Sequence, residues 1–258
     1  MTHLNWGLTG KTVIVTGATG AIGRAIAEGF AEAGCKVALI DLDQSTCDAA
    51  ARSLGPGHKG YGADLRQITG LAALVGRIEQ DLGLATTLVN VAGIIRRTPD
   101  LFSVTESDWD AQHDINLKAL FFLTQAFAKR LADTGTPGSV INYSSQGALS
   151  GGFGGSVVYN ATKGAITTMT RGMARSWAPL GIRVNAVAPG LVDTPMLQIP
   201  GQTEDQATAN REAMIRQIPM QRLGVPQDHV GATVFLASDM ARYMTGAMIN
   251  VSGGFLMY

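Results

Sequence analysis

Short apolar runs alternate with longer amphipathic stretches along nearly the whole chain. The runs Thr12–Thr16 (TVIVT), Lys36–Asp41 (KVALID) and 87–91 predict buried strands. Further strands are predicted to end at Asp64 and to span 139–144, 183–188 and 247–251, with helices at 21–34, 45–54, 71–82, 106–132, 155–178 and 227–237. This alternation is typical of a parallel sheet with helices on both faces. No internal repeat or linker interrupts it, so we expect one α/β domain over residues 1–258.

The segment 196–224 breaks the alternation. It carries Pro200, Gly201 and Pro219 around a polar stretch, 204–216, that predicts a helix. An exposed insertion is one interpretation. Because so long a segment between a strand and a helix more often covers a binding site, we favour a substrate lid.

Composition narrows the classes of function. The formal net charge is zero and only 16% of residues are charged, so binding to nucleic acid or to an anionic membrane is not expected. So few charges favour a surface buried against other subunits, although a compact monomer is also compatible. Cys35 and Cys47 lack metal-ligand spacing, and we predict no metal site. The sequence shows neither a signal-like start nor a run of about eighteen apolar residues, so we expect a cytoplasmic protein.

A glycine-rich turn follows the first predicted strand. Its sequence, TGATGAIG over 16–23, lets the backbone approach a pyrophosphate at the amino terminus of the next helix. Asp41 closes the second strand, where a carboxylate can accept hydrogen bonds from both adenosine ribose hydroxyls and repel the extra phosphate of NADP. Asp43 competes for this role, and either aspartate could instead cap a turn or helix. Because Asp41 ends the apolar run directly, we favour Asp41 and NAD.

Tyr159 and Lys163 lie four residues apart, on one face of a predicted helix. A tyrosine that accepts a proton near neutral pH needs its phenolate stabilised by about 4 kcal/mol, and a cation one turn away supplies part of this. Alone the pair is a weak pattern, and in isolation an ordinary tyrosine beside a solvated lysine is the favoured interpretation.

The ordered set of motifs resembles the short-chain dehydrogenase/reductase family. The set comprises the glycine turn, Asn90-Val91-Ala92-Gly93, Asn116, Ser145, the Tyr159 and Lys163 pair, and Pro189-Gly190, and the resemblance covers essentially residues 8–256. It implies a single-domain, doubly wound Rossmann-type fold and reversible hydride transfer between a nicotinamide and an alcohol or carbonyl. It also implies a homotetramer, with the apolar carboxy terminus at a subunit interface.

The resemblance implies roles for individual residues. Tyr159 is the general acid/base, Lys163 lowers its pKa and holds the nicotinamide ribose, and Ser145 binds the reacting oxygen. Asn116 holds a water that links Lys163 to solvent. The cofactor contacts carried over are Gly17, Thr19, Gly20, Ala21, Ile22, Gly23, Asp41, Asp64, Leu65, Asn90, Ala92, Gly93, Tyr159, Lys163, Pro189, Gly190, Val192 and Thr194. Asp64 and Leu65 stand at the adenine position, and Val192 and Thr194 at the carboxamide position. Asn90 and Asn116 could instead only bridge backbone segments.

Three features depart from the family pattern. Ala21 stands where glycine is usual, so we expect an altered affinity for the pyrophosphate. Val91 replaces the usual second asparagine of the Asn-Asn-Ala-Gly motif. Ser144 and Ser145 are adjacent, and we choose Ser145 because it stands third after Asn142, with Ser144 as the alternative.

Candidate substrate-binding residues follow the fourth and fifth strands. Ile94-Ile95-Arg96-Arg97 resembles the segment of sugar-acid members such as the 2-dehydro-3-deoxygluconate and gluconate 5-dehydrogenases, and Arg96 or Arg97 can grip a carboxylate. A solvated basic loop or a subunit contact is the alternative. Gln146 offers a donor and an acceptor to hydroxyls, beside Ser145 and Tyr159.

We therefore expect NAD-dependent oxidation of a secondary hydroxyl on a small molecule: a sugar, a sugar acid or a polyol. A 3-oxoacyl carrier-protein reductase is the first alternative, although Asp41 disfavours its usual NADPH. A non-catalytic NAD-sensing protein on the same fold is the second, and the intact catalytic set disfavours it.

Overall fold

Seven strands pair in parallel in the computed structural model, which describes residues 6–152, 155–199 and 201–257. They are β1 (Thr12–Thr16), β2 (Lys36–Asp41), β3 (Lys59–Gly62), β4 (Ala85–Asn90), β5 (Gly138–Tyr143), β6 (Ile182–Pro189) and β7 (Met248–Val251). Their order in the sheet is β3-β2-β1-β4-β5-β6-β7. The chain reverses its direction of travel across the sheet between β1 and β4, and such a point opens a crevice at the carboxyl ends of the strands.

Helices cover both faces of the sheet. They are α1 (Ala21–Glu32), α2 (Gln44–Leu54), α3 (Leu71–Leu82), α4 (Glu106–His113), α5 (Leu120–Thr134), α6 (Gly147–Ser150), α7 (Val157–Trp177), α8 (Glu204–Arg216) and α9 (Val230–Ala237). A π-helical segment, Asp114–Ala119, joins α4 to α5. Within the described ranges no helix is long and apolar enough to cross a membrane.

Successive strand residues enter two separate cores, because side chains alternate between the faces of a sheet. On one face Ile14 of β1 belongs to a cluster with residues of α3, α5 and α7. On the other face Val13 and Val15 belong to a cluster with residues of α1 and α9. Both faces are covered, so β1 is buried at every position. The predicted doubly wound sheet in a single domain is confirmed.

The third strand differs in its limits from the prediction. It spans Lys59–Gly62, while Asp64 lies beyond its end. Its sequence, KGYG, is poor in apolar residues because α2 packs directly on its backbone. A Cβ at Gly60 would lie 2.4 Å from the carbonyl carbon of Cys47, and one at Gly62 would lie 2.7 Å from the amide nitrogen of Gln44. Glycine is required for this contact, and the apolar signal is weak as a result.

The segment 196–224 leaves the sheet after β6 and returns beside its own start. Val192 bridges to Gly224, and the Asp193 amide donates to the Gly224 carbonyl at 2.8 Å. Arg211 of α8 forms two hydrogen bonds with the Asp193 carboxylate, at 2.8 and 2.7 Å. No residue of α8 is buried, and the Arg211–Asp193 pair links the helix to the stretch that follows β6. The lid function remains a prediction.

A buried histidine couples the stability of this fold to pH. His229 precedes α9, is 1% exposed, and neither ring nitrogen has a hydrogen-bond partner among the described residues. Burial lowers its pKa to about 4, so the folded protein holds the ring neutral where the unfolded chain protonates it. This contribution to stability is complete above the unfolded pKa of about 6.5 and is lost as pH falls toward 4.

We expect the free energy of unfolding to fall more steeply in wild type than in His229→Gln as pH drops from 7.5 to 4.5. The relative loss should approach about 3 kcal/mol, because each unit of pKa shift corresponds to about 1.4 kcal/mol. Urea unfolding at several pH values measures the difference. Parallel pH profiles for the two proteins would contradict the prediction.

Candidate active site

A cavity of about 620 Å³ opens at the carboxyl ends of β1, β4, β5 and β6. Most of the residues singled out in the sequence line it. They are Gly17, Thr19, Gly20, Ala21, Ile22, Gly23, Asp41, Ala92, Gly93, Arg97, Ser145, Gln146, Tyr159, Lys163, Pro189, Gly190, Val192 and Thr194. The fold therefore gathers motifs that are widely separated in the sequence around one space.

Four of the expected contact residues, Asp64, Leu65, Asn90 and Arg96, lie outside the lining of this cavity, as does Asn116. Asp64 pairs with Arg66 at 2.7 Å, and Leu65 is 6% exposed in the core. Arg96 points to the surface and pairs with Asp108 at 3.1 Å. Each of these side chains is already engaged by its neighbours, so the structure does not bring them to the cavity.

Two asparagines serve the framework around the cavity. The Asn90 amide donates to Thr124 Oγ1 and to Asn142 Oδ1, both at 2.9 Å, and so links β4 to α5 and β5. Asn116 lies in the π-helical segment and is fully buried. Its amide accepts from the Ile94 N–H at 2.8 Å and donates to the Ile94 carbonyl at 2.9 Å. Asn116 therefore holds the loop that carries Arg97, while the water expected at Asn116 remains a prediction.

The glycine turn is shaped by close backbone contacts. Gly17 has a φ of +63°, and a Cβ there would lie 2.9 Å from Ala92 Cα. A Cβ at Gly23 would lie 2.1 Å from the Gly17 carbonyl oxygen, so only glycine allows α1 to start this close to the turn. Ala21 is the first residue of α1 and is exposed at the cavity wall.

Asp41 is fixed at the edge of the cavity. Its Oδ2 accepts from the Thr19 N–H at 3.1 Å and from Thr19 Oγ1 at 2.6 Å. Its Oδ1 accepts from the Leu42 N–H at 2.9 Å. Asp43 lies further along and caps α2 by accepting from the Thr46 N–H at 2.7 Å. Asp41 alone of the two competing aspartates lines the cavity.

Ser144 and Ser145 both line the cavity, but their hydroxyls have different hydrogen-bond partners. The Ser145 hydroxyl hydrogen-bonds the Tyr159 phenol and accepts from the Gly147 N–H at 3.1 Å. The Ser144 hydroxyl donates to the Lys163 carbonyl at 2.9 Å and lies 2.8 Å from Thr167 Oγ1. Ser144 therefore braces α7, and the geometry favours Ser145 as the serine that meets a reacting oxygen.

Two cations, Lys163 and Arg97, lie near Tyr159. Lys163 Nζ donates to the Tyr143 carbonyl at 2.7 Å and lies 5.5 Å from the centre of the Tyr159 ring. Burial lowers the pKa of Lys163 to about 8. Burial also raises the pKa of Tyr159 to about 12, opposed by the Ser145 hydrogen bond and the positive charge of Arg97. Arg97 is thus a cation that favours the phenolate, and the expectation that Lys163 lowers the pKa of Tyr159 stays a prediction.

Comparisons with known proteins agree with this geometry. A family model described as Enoyl-(Acyl carrier protein) reductase matches residues 17–256. The 2-dehydro-3-deoxy-D-gluconate 5-dehydrogenase of Escherichia coli (strain K12) is 38% identical over 250 residues, covering 96% of each chain. The chain belongs to the short-chain dehydrogenase/reductase family.

Two further members of the family are similar over nearly their whole length. The (3R)-3-hydroxyacyl-CoA dehydrogenase of Mus musculus is 35% identical, covering 97% of this chain and 98% of the relative. A solved structure from Agrobacterium tumefaciens, provisionally assigned as a gluconate dehydrogenase, has a TM-score of 0.88 and 31% identity, covering 97% of this chain and 98% of that chain. The protein is accordingly an oxidoreductase that acts on CH–OH groups with a nicotinamide cofactor.

The residues present fit such a cofactor. The N-cap of α1 is Gly20, which offers no side-chain hydrogen bond, so the first N–H groups of the helix are available to a pyrophosphate. Asp41 would supply acceptors for ribose hydroxyls at the other side of the turn. The bound nicotinamide supplies the hydride donor or acceptor.

Proton transfer at the Tyr159 oxygen is the chemistry expected of the chain itself, and this role stays a prediction. A phenol with a pKa near 12 is protonated at neutral pH and can give its proton to the oxygen of a ketone during reduction. Oxidation of an alcohol needs the phenolate. At pH values below the pKa, the phenolate fraction increases tenfold with each unit by which the pH is raised. Ser145, hydrogen-bonded to the same phenol, is placed to orient the reacting oxygen.

Several cavity residues had little signal in the sequence. Met196, Leu197, Ile199 and Met214 of the segment 196–224 line the cavity, as does Phe255 near the carboxy terminus. Their apolar character within a polar segment was the available clue. A contact from Arg97 Nη2 to the Met196 carbonyl, at 3.4 Å, had no sequence signal because the two residues lie on separate loops.

We expect kcat/KM for alcohol oxidation to rise with pH from 6 to 10, because the phenolate of Tyr159 is the active form and burial raises its pKa. In Arg97→Gln the rise should move to higher pH, since a cation that favours the phenolate is removed. Steady-state rates at saturating cofactor across this pH range measure both effects. A shift to lower pH in the variant would contradict the assignment.

Proposed function

We propose that this enzyme transfers a hydride between NAD and a secondary hydroxyl or ketone of a sugar acid, a sugar or a polyol. The observation that carries the proposal is the burial of Arg97 together with its unpaired hydrogen-bond donor. Its side chain is partly buried in the cavity near Tyr159, and its Nε has no hydrogen-bond partner among the described residues.

A cation with an unpaired donor in a catalytic cavity favours an anionic substrate. Burial lowers the pKa of Arg97, which expresses the cost of holding the charge away from water. A substrate carboxylate would offset this cost and could form two parallel hydrogen bonds with the guanidinium. The sugar-acid dehydrogenase named among the relatives is consistent with this choice.

The same features disfavour a 3-oxoacyl chain as the substrate. An acyl chain would place apolar carbons against Arg97 and against the buried Gln146 amide, and unpaired polar groups are costly in such contacts. The apolar residues of the segment 196–224 could still accept such a chain. Activity on 3-oxoacyl thioesters with none on sugar acids would reverse the assignment.

The choice of NAD is supported by Asp41. Its carboxylate lies at the cavity edge, fixed by Thr19 and by the Leu42 amide. A fixed negative charge here accepts hydrogen bonds from two hydroxyls and repels a 2′-phosphate. Near the glycine turn, the described lining of the cavity contains no basic side chain that could pair with a 2′-phosphate.

We also propose that the protein forms a homotetramer in the cytoplasm. The edge strand β7 is only partly buried at each of its four residues. Phe102 and Trp109 are exposed on the loop and helix that follow β4, at 101% and 47%. Large apolar side chains at such positions favour burial against another subunit.

The substrate prediction uses two adjacent arginines. Arg97→Ala should raise KM at least about tenfold for an aldonate or a 3-deoxy-2-ketoacid, because a charged hydrogen-bonding partner is lost. KM for a neutral polyol should change little. Arg96→Ala is the matched control, since Arg96 pairs with Asp108 at the surface. Equal changes in KM for acids and neutral polyols in Arg97→Ala would discard the carboxylate grip.

The cofactor prediction uses two nearby aspartates. Asp41→Ala should raise the ratio of kcat/KM with NADP to that with NAD by about tenfold to hundredfold, because ribose hydrogen bonds and phosphate repulsion are both lost. Asp43→Ala removes the cap of α2 and should lower thermal stability without altering this ratio. A preference of the wild-type enzyme for NADP would contradict the assignment of Asp41 as the residue that selects NAD.

A further inference from the structure

A chain of amide hydrogen bonds leads from the carboxy-terminal segment to the residue after Ser145. Gln146 lines the cavity and is 2% exposed. Its Nε2 donates to Asn250 Oδ1, and Asn250 Nδ2 donates to the carbonyl of Leu256. Gln146 Oε1 is buried and has no hydrogen-bond partner among the described residues. We name this chain, Gln146-Asn250-Leu256, the amide relay.

The amide relay has only one consistent orientation. A backbone carbonyl accepts hydrogen bonds and cannot donate them, so Asn250 must turn its Nδ2 toward Leu256. Asn250 then presents Oδ1 to Gln146, which must answer with Nε2. A flip of either side chain would bring two oxygen atoms together. The Leu256 carbonyl therefore sets the orientation of Gln146 through Asn250, and Gln146 Oε1 is turned away from Asn250.

We propose that the amide relay makes Gln146 an obligate acceptor and so selects substrates with a hydroxyl next to the reacting carbon. Gln146 follows Ser145, whose hydroxyl bonds the Tyr159 phenol, and both residues line the same cavity. A vicinal hydroxyl donates to Oε1 and satisfies it. A substrate that lacks this hydroxyl leaves a buried acceptor unpaired, which lowers its kcat/KM.

Asn250 is a positioning residue, and β7 presents it to Gln146. It lies in β7, where its neighbour across the sheet is Ala188 of β6. The carboxy-terminal segment contributes Phe255 to the cavity as well, so the end of the chain both lines the site and orients a polar group within it. The proposal rests on the proposed function, since it refines the class of hydroxylated substrate.

The test compares the best substrate among aldonates, 3-deoxy-2-ketoacids and polyols with analogues that lack the hydroxyl on either carbon beside the reacting one. Gln146→Met and Asn250→Leu should lower kcat/KM for the hydroxylated substrate by about tenfold to hundredfold, because a buried hydrogen bond is lost or misdirected. The rate with the matching deoxy analogue should change much less. Gln80→Met, on the exposed face of α3, is the matched control. Equal losses on both substrates would overturn the selection.

A conservative variant separates orientation from mere support. Asn250→Asp still accepts from Gln146 Nε2 but repels the Leu256 carbonyl. If orientation matters, this variant keeps the preference for the hydroxylated substrate that Asn250→Leu loses. If Asn250 only supports the carboxy-terminal segment, Asn250→Asp should be as damaging as Asn250→Leu, and the positioning role is overturned.

A measurement without substrate keeps the test independent of the proposed function. In the protein labelled with ¹⁵N-glutamine, the side-chain amide signals of Gln146 are assigned by their loss in Gln146→Met. They should shift in Asn250→Leu and much less in Asn250→Asp. No shift in Asn250→Leu would overturn the amide relay. An intact relay with no turnover of any panel substrate would instead reject the proposed function and the selection that rests on it.

Discussion

The contact between the turn after β1 and the turn after β4 sets the geometry on which the active site depends. Thr16 Oγ1 accepts from the Val91 and Ala92 N–H groups, both at 3.1 Å, and Gly17 packs on Ala92 with no room for a side chain. The two turns are thereby held together at the point where the order of the strands reverses. The contact fixes the start of two segments. One is the glycine turn that is expected to bind the cofactor, and the other is the loop that leads to Arg97. It also explains why valine is tolerated at position 91, since the hydrogen bonds here come from its backbone.

Burial governs the electrostatics of the cavity more strongly than any single charge pair. It raises the pKa of Tyr159 and lowers the pKa of Lys163, so each group is pushed toward its neutral form. A cavity that disfavours charge increases the effect of each charge that it retains. Arg97 is a permanent cation that acts on the phenol, and under the proposed function it would also bind a substrate anion. Neutralising Arg97 with a carboxylate would weaken its effect on Tyr159, so substrate charge and proton transfer are coupled through one guanidinium.

The sheet, most helix limits and the cofactor turn could be predicted from sequence because they depend on periodicity and on glycine at fixed places. β1 and β2 coincide with their apolar runs. β3 was harder, since the glycines that let α2 pack on it remove the apolar signal. Side-chain partners were harder still. Nothing in the sequence distinguishes Arg96 from Arg97, and the surface carboxylate of Asp108 decides which of them turns outward.

The polar groups that would recognise a substrate all rely on segments outside the regular alternation of strands and helices. Arg97 lies on a loop held by Asn116 and touches the segment 196–224 through the Met196 carbonyl. Gln146 is oriented from the carboxy terminus through Asn250. Tyr159 and Ser145, by contrast, stand on α7 and just after β5, two elements that contribute residues to the cores. Changes in the three irregular segments can therefore alter specificity while the sheet and the Tyr159 and Ser145 pair stay intact. This division allows one family of folds to act on sugar acids, polyols and acyl chains with the same chemistry.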